Sequence, residues 1–144
     1  MGRIKMSSDL LKKINKQFPE LVKAPNKSKF NVSESGQRTH KGKVYDSKAE
    51  MSYRRHLEKM ALHNAPELKV VKIEEQVAYE IIINEVKICN YYLDFKVTYG
   101  DGRVSYVDVK GYSKGNAYAI FRLKKKLVFA VHGIIITEVK KGEF

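Results

Sequence analysis

The stretch NYYLDFKVTYGDGRVSYVDVKGY, residues 90–112, decides the fold. Two runs rich in aromatic and β-branched residues flank Gly100-Asp101-Gly102, the composition of two antiparallel strands joined by a tight turn. Side chains alternate between the faces of a strand. Val107 and Val109 therefore point into a core, while Asp108 and Lys110 share the other face at a spacing of roughly 7 Å. Tyr92, Asp94 and Lys96 share one face by the same count, and Asp94 comes level with Asp108 if the register sets the two opposite each other. Each strand thus carries a carboxylate in an apolar body, with an ammonium beside one of them.

Two carboxylates in contact repel, and a buried pair keeps a proton at neutral pH unless a positive charge stands between them. Mg²⁺ is a natural candidate, because it takes one or two carboxylates and keeps several waters; the Val109 carbonyl could add an oxygen. A water acidified by such an ion can attack a phosphodiester, with Lys110 orienting it or neutralising the phosphate. The plainer reading is a pair of cross-strand ion pairs, Asp94 with Lys110 or Asp108 with Lys96. Against it stand the apolar neighbours on both sides, Tyr91, Leu93, Phe95, Val104 and Tyr106, which argue for a sheet covered on both faces.

Outward from the hairpin, strands are expected at 69–73, 76–84 and 86–97, with a tight turn at Asn84-Glu85, and at 103–110. Residues 47–63 predict a helix, with Ala49, Tyr53, Leu57, Met60 and Ala61 at helical spacing and Pro66 beyond its end. Ser47-x-x-Glu50 is a capping box. Glu50 also falls on the inward stripe of that helix, where it can join Asp94 and Asp108. Gln76 is either an exposed polar residue of an edge strand or a partner of the reacting water. Residues 116–131 predict a second helix closed by Gly133. Ile134–Val139 reads as a continuous apolar strand deep in the sheet, parallel to an earlier one. The order predicts an α/β fold: a mixed central sheet flanked by helices, with an α-β-β-β-α-β core. Upstream, residues 7–18 predict a short helix and 19–44 a loop or arm rich in Pro, Asn, Ser, Gly and Lys. This divides the chain into a basic arm, 1–37, and a domain, 38–144.

Charge points to the partner. The 144 residues hold 28 Lys and Arg against 16 Asp and Glu, net +12. Residues 1–48 alone hold 12 basic and 4 acidic residues, net +8. Nucleic acid is the common partner of such a surplus, because each phosphate contact releases condensed counterions. Candidate phosphate contacts are Lys41, Lys43, Lys48, Lys114, Lys124 and Lys125, with Lys124 the one expected to turn toward the acids. No run approaches the roughly 18 apolar residues of a membrane span, and no secretory apolar segment follows the basic start. The single cysteine, Cys89, excludes an internal disulfide and is expected to be a buried thiol. His40, His56, His63 and His132 have no metal-ligand spacing.

Taken with this strand order, "VYDSKAE", "LDFKV", "VDVKGY" and "RLKKKL" resemble the signatures of the PD-(D/E)XK nuclease superfamily, the restriction-endonuclease-like fold, and within it a group of small phage-encoded members. The resemblance covers residues 38–139. It implies an endodeoxyribonuclease dependent on Mg²⁺ or Mn²⁺. Asp94, Asp108, Val109 and Glu50 would hold the metal, and Lys110, with Gln76, would serve the chemistry. The superfamily's proline before the first acid is replaced here by Leu93. The resemblance also implies structure-specific action on duplex or branched DNA, such as Holliday junctions in phage recombination. It further implies a homodimer and a cytoplasmic location, in the host if the chain is phage-encoded. The alternative is a basic nucleic-acid-binding protein without catalysis on the same kind of fold.

Overall fold

The long hairpin organises the chain. The computed structural model describes residues 33–111 and 114–144; the helix expected at 7–18 and the arm before residue 33 lie outside them. A 3-10 helix, Ser35–Arg38, leads into a small hairpin of β1, Thr39–His40, and β2, Lys43–Val44. Helix α1, Lys48–Met60, follows, then strands β3, Val70–Ile83, β4, Val86–Tyr99, and β5, Val104–Lys110. Helix α2, Asn116–His132, crosses over to β6, Ile136–Lys140. From α1 onward the order is α-β-β-β-α-β, and the main sheet runs β3-β4-β5-β6, antiparallel except for the parallel pair β5-β6. The fold is therefore mixed α/β, with each helix packed against its own apolar cluster.

Local chemistry accounts for the elements. Asn84 and Glu85 both take positive φ, which twists a two-residue turn to match the hairpin it closes. Ser47 caps α1 by accepting the Glu50 N–H, and Gly133 ends α2 at φ 68°.

Three expectations are corrected. The strands expected at 69–73 and 76–84 are one strand, β3, because pairing with β4 continues across the polar residues between them. β6 is the outer strand rather than a deep one, and Ile135 just before it is 71% exposed. The supposed loop 19–44 contains structure from residue 35 on, and the boundary expected after residue 37 falls inside the 3-10 helix. Arg38 is the reason: its guanidinium donates to the carbonyls of Ser33 and Tyr45. Glu58 then binds His40, Lys41 and Arg54, and Glu75 binds Lys43, which fastens the small hairpin to α1 and β3.

At one level of the sheet, alternation slips. On β4, Tyr91 and Leu93 pack in the cluster under α2, whereas Phe95 and Val97 pack in the cluster under α1. On β3, Val77, Tyr79 and Ile81 belong to the α2 side and Ile73 to the α1 side. Residues of one parity change face, and they do so where Gln76 stands between the pairs Glu75↔Phe95 and Val77↔Leu93. Gln76 has φ 53°. A non-glycine residue in that region costs on the order of 1 kcal/mol or more, offset here by two clusters that include the fully buried Leu93, Phe95, Val97 and Ile81. The residue facing Gln76 across the ladder is Asp94.

Candidate active site

The slip opens the sheet at the acids. β4 and β5 pair from Thr98↔Val104 to Phe95↔Val107 and no further. The next rung would set Asp94 opposite Asp108, on one face. Instead of a backbone carbonyl, the side chain of Asp94 takes up the free donor: its Oδ2 accepts the Val109 N–H at 2.8 Å. Gln76 Nε2 approaches Asp94 Oδ1 at 3.3 Å.

Asp108 is 3% exposed. Its Oδ2 accepts the Tyr91 hydroxyl at 2.5 Å, and its Oδ1 pairs with the Lys110 ammonium. That ion pair lacks hydrogen-bond geometry, which leaves Oδ1 as a buried oxygen without a hydrogen bond. Lys110 Nζ also lies 3.8 Å from the centre of the Phe121 ring, a cation–π contact that holds the ammonium over the aromatic face. Neither cross-strand ion pair of the plainer reading forms. Lys110 bonds within its own strand, and Lys96 pairs with Glu74.

Proximity shows in the proton affinities. Burial, then repulsion from Asp108 and Glu50, pushes the Asp94 carboxyl up to about 7 against the pull of the Val109 N–H and Lys110. Burial likewise raises Glu50, with Asp46 and Asp108 adding to it and the Ser47 hydroxyl and Lys110 opposing. Burial and the Asp108 carboxylate drive the Tyr91 phenol far above its ordinary range, so it remains a donor.

These groups line a cleft of about 410 Å³ between the sheet and α2, with Asp46 and Gln76 on one wall and Phe121 and Lys124 on the other. Glu50 is set back. It lines a smaller adjoining hollow with Lys43 and Tyr45, shares Asp46 and Gln76 with the cleft, and is bound by the Ser47 hydroxyl at 2.9 Å. It is both the cap residue and a buried acid, 8% exposed, felt by Asp94 through space. Among the described residues, no group of three His, Cys, Asp or Glu side chains is gathered closely enough to hold a metal ion. The three acids expected from the sequence do not form such a group, and Glu50 is hydrogen-bonded to its own cap residue. Asp94 and Asp108 still suit a divalent ion chemically. They are mutually repelling hard-oxygen donors, one with an oxygen lacking a hydrogen bond, and Mg²⁺ needs only one or two carboxylates.

The lysines divide. Lys124 does turn to the cleft, where its ammonium reaches the Asn90 carbonyl at 3.3 Å. Lys41, Lys43 and Lys125 are engaged with Glu58, Glu75 and Glu138. Lys48 and Lys114 are exposed. His40 bonds Glu58, and Cys89 is a free, partly buried thiol. Asp46, Tyr91 and Phe121 were not singled out from sequence. Tyr91 read there as one of the apolar neighbours of the acids, and only the carboxylate three residues after it hinted at more.

Fold and cleft together define a mixed α/β domain with a carboxylate pair and an ammonium at a break in its sheet. The chain belongs to the family described as Protein of unknown function (DUF1064), whose model matches residues 27–140 and so spans every site residue. No curated protein and no solved structure matches it. Among the described residues, no helix is long and apolar enough to cross a membrane.

Proposed function

We propose that this chain is a Mg²⁺- or Mn²⁺-dependent endodeoxyribonuclease of the PD-(D/E)XK kind, hydrolysing phosphodiester bonds in duplex or branched DNA as a homodimer. One observation carries the reading: Asp94 and Asp108 line one cleft closely enough for Asp108 to raise the proton affinity of Asp94, with the Lys110 ammonium against Asp108. A divalent ion on Asp94, Asp108 and the Val109 carbonyl would neutralise both acids and acidify a bound water. Tyr91 keeps Asp108 oriented, and Gln76 and the Val109 N–H do the same for Asp94. Lys110, held over Phe121, is placed to stabilise the charge that builds on the phosphate oxygens. Lys124 supplies a phosphate contact at the cleft wall, and Lys48 and Lys114 supply sequence-independent contacts outside it.

A second reading rests on the same network. Each carboxylate already has partners within the chain, Tyr91 and Lys110 for Asp108 and Val109 N–H and Gln76 for Asp94. Such a network supports a binding module without catalysis. Incubation of supercoiled plasmid and of a synthetic four-way junction with wild type and Asp108→Ala, in Mg²⁺ and in Mn²⁺, separates the two. Metal-dependent cleavage lost in the variant, with binding retained, is the outcome expected of the nuclease. Tight binding with no cleavage by wild type in either metal would leave the module.

A further inference from the structure

Helix α2 has two lined flanks. Ala117, Ile120, Phe121 and Lys124 face the cleft, whereas Tyr118, Arg122, Lys125 and Phe129 border a separate groove of about 540 Å³ against β6. Ile134, Ile135 and Ile136 complete the apolar part of the groove. Phe129 is 57% and Ile135 71% exposed, a cost in hydrated apolar surface that an occupant would remove. The one acid of the lining, Glu138, is spent internally on the Tyr118 hydroxyl and on Lys125, at 2.9 Å each. Arg122 and Lys126, which also line the groove, form no salt bridge among the described residues. Beside them, β6 is hydrogen-bonded to β5 alone, so its outer edge has no strand partner among the described residues.

We propose that this groove binds a linear acidic segment of a partner protein, laid along the free edge of β6 with bulky apolar side chains over Phe129 and Ile135 and carboxylates on Arg122 and Lys126. The three properties the groove combines are the three such a segment satisfies: open backbone donors and acceptors, an apolar trough and unpaired cations. A nucleic acid would use the cations and leave the isoleucines wet. A second copy of a chain with net charge +12 would bring like charge to the rim. Because the groove lies on the flank of α2 away from the cleft, the partner would tether the chain without blocking its acids.

The test is a titration of the full ¹⁵N-labelled chain with a blocked octapeptide of alternating aspartate and leucine, followed by amide shifts. The shifts are expected to be largest at Tyr118, Arg122, Lys125, Lys126 and Phe129 and over residues 134–138, and to leave the amides of Asp94 and Asp108 in place. Phe129→Ala, and separately Arg122→Glu with Lys126→Glu, should each weaken binding about tenfold or more, as loss of an anchoring contact does. The substituted positions are at the surface, so the rest of the spectrum reports an intact fold. Several outcomes would overturn the proposal. These are no shifts, shifts confined to other residues, or equal binding of a peptide with lysine in place of aspartate. Equal binding of oligo(dT) at the same amides would also do so and would make the groove a nucleic-acid surface, and shifts of those same groove amides on raising protein concentration alone would make it a self-association face.

Discussion

Asp94 should make stability depend on pH in a way that its neutral isostere abolishes. The carboxyl has an ordinary value of 3.8 and is pushed up to about 7 in the fold by burial, Asp108 and Glu50. Between those values the folded chain holds a proton that the unfolded chain has released. Stability falls with rising pH wherever the folded state binds more protons, at about 1.4 kcal/mol per pH unit for one group. The contribution is therefore complete below pH 3.8, shrinks through the interval and is gone above about 7. The full excursion is roughly 4 kcal/mol, an upper figure because the site can relax or admit water. Asp94→Asn carries the uncharged form at every pH and keeps an oxygen for the Val109 N–H. Urea denaturation of both proteins in chelator, from about pH 4.5 to 8.5, gives the difference directly; Glu58 and Glu138, which their ion pairs hold low, cancel in it. The two curves should draw together toward the acid end, to within about 1 kcal/mol at about pH 4.5, and at pH 8 the variant should be the more stable by about 2–4 kcal/mol. Parallel curves, or a variant less stable than wild type at pH 8, would refute the claim that Asp94 is crowded by other carboxylates.

Other outcomes follow from the same geometry. Added Mg²⁺ at pH 8 should raise the thermal midpoint of wild type and not of Asp94→Asn with Asp108→Asn, by about 2.7 kcal/mol of stabilisation at one hundred times the dissociation constant; equal shifts would place the ion elsewhere. Tyr91→Phe removes a donor to a buried carboxylate and should cost about 1.5–3 kcal/mol in urea denaturation at pH 8, with the loss shrinking by about half when Asp108 is also replaced by Asn, whose neutral amide oxygen accepts a weaker bond. Lys124→Ala should lower the slope of duplex binding against log salt by about one, while Lys125→Ala, already paired with Glu138, should leave it nearly unchanged. Fluorescence anisotropy over a series of KCl concentrations reads both.

What the sequence disclosed follows strand parity. Counting in twos from Val107 and Val109 sent Asp108 and Lys110 to the same face, and the Gly-Asp-Gly turn pointed to Asp94 as a neighbour of Asp108; the two acids do line one cleft. Glu50 was legible as the cap and as an inward-facing residue, and it is buried while Ser47 keeps hold of it. Partners far apart in sequence were not legible. Nothing near Lys41 or Lys43 announces Glu58 or Glu75, so cations expected for phosphate turned out to clamp a hairpin. Nor does the triplet Ile134-Ile135-Ile136 say whether it is covered; only Ile136 is buried, and Ile135 opens onto the groove. The slip at Gln76 is the instructive case. The expected strands leave Glu74-Glu75 as a gap, and the chain instead runs one strand through it, with a positive φ at Gln76 just beyond. A gap and a slip look alike in sequence, since both interrupt an apolar alternation. Only pairing with β4 distinguishes them, and it is the slip, carried across to Asp94, that ends the β4–β5 ladder and leaves a backbone donor for a carboxylate to fill. The same interruption that obscured the strand is therefore the feature that makes the site.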